Sequence, residues 1–84
     1  MSEKPVLFVD LLDRGEFLEF QRCPTLLRER LSATGNEKGL VVIDEIQKIP
    51  ELLDEVHWLI EEKGTRFLMS GSSARKLKRA GSNL

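Results

Sequence analysis

The chain has 84 residues, a formal net charge of −1, 40% apolar and 32% charged side chains, the balance of one globular unit rather than two. Its longest apolar runs, 6–9 and 40–43, are far too short to cross a bilayer, and its near-neutral charge gives no global attraction for nucleic acid or anionic membranes. A single cysteine, Cys23, excludes an internal disulfide and any multi-cysteine metal site, and reads as a structural or incidental thiol. Residues 1–5 lead into no long apolar stretch and no small-residue cleavage pattern, so a secretory signal is not expected and the cytoplasm is.

Val6, Leu7, Phe8 and Val9 form a β-branched and aromatic run ending at Asp10, which predicts a first strand covered on both faces. Asp13 and Glu16 have capping-box spacing ahead of Phe17, Leu18 and Phe20, so a short helix is expected from about Arg14, ended by Pro24. A second helix reads from Pro24, with Leu27 and Leu31 on one face, and residues 32–39 have the glycine and asparagine content of a surface loop.

Leu40, Val41, Val42 and Ile43 are the most strand-like segment, fully apolar and followed at once by Asp44 and Glu45, as in a central parallel strand whose carboxyl end opens into a site. Pro50 opens a third helix, with Glu51, Asp54 and Glu55 near its positive end and Leu52, Leu53, Val56, Leu59 and Ile60 along one face, stopped by Gly64. Residues 66–70 form a third strand leading into Gly71, Ser72 and Ser73, after which a helix over 74–79 and a fraying tail over 80–84 are expected. Strands joined by helical crossovers run parallel, so the expected fold is α/β, a three-stranded parallel sheet with flanking helices.

Two segments carry candidate chemistry. Asp44 and Glu45 leave one strand end together, where one carboxylate can hold magnesium and its neighbour can orient or deprotonate water. The plain alternative makes Asp44 a turn cap and Glu45 a solvated acid. Ser70, Ser72 and Ser73 end the third strand at the same sheet edge, where a hydroxyl can sense a phosphate or position water; Ser73 reads as a helix cap. A nucleophilic serine is disfavoured, because the segment lacks the second glycine of a nucleophile elbow and would have to recruit the one histidine, His57. Trp58 reads as cover for apolar surface, with adenine stacking a minor alternative. Arg75, Lys76, Lys78 and Arg79 read as a solvated basic face near a helix C-terminus in preference to a nucleic-acid contact.

Taken together, residues 41–50 (Val-Val-Ile-Asp-Glu-Ile-Gln-Lys-Ile-Pro) and 66–77 (Arg-Phe-Leu-Met-Ser-Gly-Ser-Ser-Ala-Arg-Lys-Leu) resemble prokaryotic ATPases of the AAA type, and the opening residues 8–31 resemble the segment those proteins carry before their Walker B strand. The resemblance implies a P-loop NTPase core with ATP and Mg2+ as cofactors. By that resemblance Asp44 is the Walker B aspartate for magnesium, Glu45 the catalytic glutamate and Ser70 the polar residue ending the sensor-one strand, with Ser72 as its alternate.

The chain departs from the family in having no G-x-x-x-x-G-K-[ST] loop; the glycines at 35 and 39 enclose a lysine in the wrong order. Residues 1–84 are therefore expected to be a single partial AAA-type domain, without the phosphate-loop strand or the C-terminal domain, binding nucleotide weakly or not at all and turning over negligibly alone. In the family the phosphate-loop strand lies beside the strand corresponding to 66–70. Its loss is expected to leave an apolar sheet edge that pairs with another copy, docks on a complete ATPase or is covered by the chain's own tail.

Overall fold

In the computed structural model, which describes residues 4–71 and the backbone of residues 76–80, the apolar run at 40–43 becomes an inner strand, β2 (Leu40–Asp44). It pairs in parallel with β1 (Leu7–Asp10) on one side and β3 (Arg66–Gly71) on the other, with Val9 opposite Ile43 and Val41 opposite Phe67. The register places Val9, Val41, Ile43 and Phe67 on one face of the sheet, and none of the four is exposed to solvent.

Three helices close that face: α1 (Arg14–Arg22), α2 (Leu26–Ala33) and α3 (Leu52–Lys63). Phe20 of α1, Leu27 and Leu31 of α2, and Leu52, Val56 and Leu59 of α3 join the strand residues in one buried cluster. On the other face Phe8 is 53% exposed, and Val42 and Leu68 are half-buried. The expectation that β1 is covered on both faces is thus corrected, because the buried helix residues cluster against one face alone.

Helix boundaries follow local chemistry. The Asp13 carboxylate accepts the Glu16 N–H at 3.0 Å, while the Glu16 carboxylate accepts the N–H of Asp10 at 3.3 Å, so the box is half formed and its other half stitches α1 to β1. Pro24 and Thr25 make a turn rather than the first helical residues, and α2 runs on through Ser32 and Ala33 into what the glycine-rich composition marked as loop. At the end of α3, Gly64 has φ 72°, its N–H reaches the Ile60 carbonyl at 3.2 Å, and the Thr65 N–H reaches the Leu59 carbonyl at 3.3 Å. The Gly64 bond is that of a left-handed glycine stop, and both bonds satisfy carbonyls that the helix leaves without partners. Thr65, buried behind it, donates its hydroxyl to the Glu37 carbonyl at 2.6 Å.

The parallel sheet gains a fourth member. β4 (Lys76–Ala80) lies antiparallel on the outer edge of β3, with Gly71 opposite Lys76 and Phe67 opposite Ala80. The helix expected over 74–79 is corrected for its described part: 76–79 are strand. The unpaired N–H and C=O groups along β3 outweigh the weak helical preference of a short basic segment. Of the outcomes expected for this edge, cover by the chain's own tail is the one found.

Substituting Gly64→Ala forces a Cβ into the left-handed region, so the variant should lose about 1–2 kcal/mol in urea unfolding, with Gly64→Asn losing less.

Candidate functional site

Because β1, β2 and β3 run parallel, their carboxyl ends fall along one edge of the sheet. Asp10 sits directly opposite Asp44, and Ser70 lies one residue beyond the Ile43–Met69 pair. By strand alternation Asp10, Asp44 and Ser70 share the sheet face away from the helical core. The Ser70 hydroxyl donates to Oδ1 of Asp44 at 2.5 Å, and both residues are half-buried. A hydrogen bond to an ionised acceptor is stronger than a neutral one, and a carboxylate with roughly four acceptor positions keeps most of them after giving one to Ser70.

Glu45 does not continue the strand. Its backbone sits at φ 64°, ψ 47°, and it is the one non-glycine residue with positive φ among the described residues. For an L-residue with a full side chain this conformation costs about 1–2 kcal/mol. One more extended residue would turn the Glu45 side chain to the core face; the left-handed turn breaks that alternation and releases it from the sheet. A 3-10 turn over Ile46–Lys48 follows, and within it Nε2 of Gln47 donates to Oε1 of Glu45 at 2.5 Å.

Asp44, Glu45 and Ser70 are thus neighbours at one end of the sheet, and the Asp44–Ser70 contact is direct. Ser72, the alternate to Ser70, lies outside the described residues. Two participants were missed by sequence reasoning. Asp10 closes an apolar strand just as Asp44 does, which is the signal that could have marked it; its carboxylate accepts the Leu12 N–H at 3.0 Å and so shapes the turn into α1. Gln47 carried no signal without knowledge of the turn.

Among the described residues no group of three or more His, Cys, Asp and Glu side chains is arranged to hold a metal ion. Magnesium does not need one, since it is commonly held by one or two carboxylates, water and substrate phosphates. Asp44 is half-buried and braced by Ser70, and residues 1–84 contain no G-x-x-x-x-G-K-[ST] sequence.

Other candidates stand apart. His57 is exposed on α3. Trp58, 36% exposed, is covered by the Arg28 guanidinium at 3.8 Å from the ring centre, and Arg28 also pairs with Glu55, which joins α2 to α3. An open cleft of about 410 Å³ beside this stack includes Ser32 and Lys63 but none of Asp44, Glu45 and Ser70. No helix among the described residues is long and apolar enough to cross a membrane.

The three-stranded parallel core, with acids leaving its central strand end, is the arrangement of a partial P-loop NTPase core. The AAA domain family matches residues 1–84, the whole of the sequence, and the chain belongs to that family. No curated protein and no solved structure matches it.

A double-mutant cycle on Ser70→Ala and Asp44→Ala should give a coupling free energy of about 1 kcal/mol in chemical denaturation, below the upper range for a charged hydrogen bond because both groups keep contact with water. Additive losses would mean that the two strand ends are not joined in solution.

Proposed function

We propose that this chain supplies the acidic side of an ATP-hydrolysing site, with Asp44 as the magnesium-side carboxylate, Glu45 as the group that orients and deprotonates water, and Ser70 as the polar group at the third strand end. The observation that carries this reading is the Ser70–Asp44 hydrogen bond, which joins the ends of two neighbouring parallel strands at the edge where α/β sheets bind ligands. The family supports ATP and Mg2+ as the cofactors of a complete domain.

In such a site bound magnesium neutralises charge on the phosphate oxygens. Asp44 is the residue that would hold the ion, and Ser70 keeps that carboxylate in one orientation. Glu45, released from the sheet by its left-handed turn, can accept a proton from a water beyond Asp44. Nothing in the 84 residues supplies the amides and lysine of a phosphate loop, and phosphoryl transfer depends heavily on such contacts. The chain alone is therefore a weak nucleotide binder with negligible turnover, whose acids serve hydrolysis when a phosphate-binding element completes the site.

Docking through the outer edge of β3 would first require β4 to leave it, so the paired sheet favours the catalytic reading over an interaction module built on that edge.

Titrating the 15N-labelled chain with Mg-ATP should shift amide resonances at Asp44, Glu45 and Ser70 at millimolar nucleotide, and Asp44→Asn should abolish the shifts. Absence of any localised shift in the wild-type chain would overturn the nucleotide reading for these residues.

A further inference from the structure

We propose that Gln47 is a positioning residue for Glu45, clamping its carboxylate in one direction beside the end of β3; the inference rests on the reading of Glu45 as the water-activating acid. Three observations converge on this side chain. Glu45 occupies a backbone conformation that is unfavourable for its residue type, as residues at functional sites often do. Gln47, two residues on, is brought back by the 3-10 turn so that its amide NH2 donates to Oε1 of Glu45 at 2.5 Å. The other end of the same amide lies against Gly71, where a Cβ built on the glycine would stand 2.5 Å from the Gln47 Oε1.

The geometry uses each part of the glutamine. Its NH2 faces an acceptor, and its C=O faces the backbone of the last residue of β3, next to Ser70. A glutamate at 47 would present a carboxylate to a carboxylate, and an asparagine is one methylene short of spanning the gap. Glycine at 71 leaves the room in which the amide sits.

The two acids are therefore held by separate contacts, Asp44 by the Ser70 hydroxyl of β3 and Glu45 by the amide of Gln47, whose carbonyl end lies beside Gly71.

The chain holds two glutamines, both exposed, so Gln21 serves as an internal reference for Gln47 and its bond to Glu45. In the full 84-residue chain the Gln47 side-chain amide should exchange with water roughly threefold or more slowly than that of Gln21, as a hydrogen-bonded amide does. Glu45 should show a single χ1 rotamer in three-bond couplings. Gln47→Met, which keeps the length and loses the donor, and Gly71→Ala, which fills the amide's space, should each leave the backbone spectrum of β2 and the melting temperature unchanged while Glu45 becomes rotamer-averaged. A merely structural Gln47 would move the melting temperature and leave the Glu45 couplings alone. Equal exchange of the two glutamine amides in the wild-type chain, or a Glu45 that keeps one rotamer in both variants, would overturn the proposal. These readouts need no nucleotide, so failure of the Mg-ATP titration removes the hydrolytic role of Glu45 without touching the clamp, and failure of the clamp leaves the titration to stand or fall separately.

Discussion

Parallel pairing of β2 with a strand on each side is the constraint on which the rest of the molecule depends. It sends three carboxyl ends to the same edge, and it obliges the chain to cross over between strands through helices. Those helices then have one apolar face to cover, which sets the stripe of Phe20, Leu27, Leu31, Leu52, Val56 and Leu59 that fills the core. The polar edge and the apolar core are thus two results of one hydrogen-bond register, since alternation along each strand separates Ile43 from Asp44 and Met69 from Ser70.

Much of this is legible in the residues. A fully apolar run such as 40–43 is stable in few places other than an inner strand, and Gly64 after a striped segment marks a helix stop whatever the surroundings. The Asp44–Glu45 pair at a strand end and the hydroxyl of Ser70 were visible for the same reason, because strand ends inherit their position from the sheet. What escaped was decided at longer range. The local composition of 76–80 does not reveal that an unpaired β3 edge is waiting for it, and the apolar character of Phe8 does not reveal that the helices gather on the opposite face.

Gln47 is the clearest case of information absent from local pattern. Its partner depends on Glu45 adopting a left-handed backbone that residue propensity argues against, and on Gly71, far along the chain, leaving space beside it. Breaks of a local rule of this kind are characteristic of functional sites, where surrounding contacts hold a conformation that the isolated segment would avoid. The arrangement also holds the adjacent acids differently: Asp44 is braced from the sheet by Ser70, while Glu45 is met by Gln47 through a turn.

The antiparallel run of β4 has a kinetic side. Pairing Leu7 with Val41 requires a long crossover to close, whereas Gly71 and Lys76 are neighbours in sequence and can meet within the time of a simple hairpin. The outer edge of β3 can therefore be sealed by a local event before the slower parallel core is assembled, which shortens the interval in which a growing or refolding chain presents a bare strand to its neighbours.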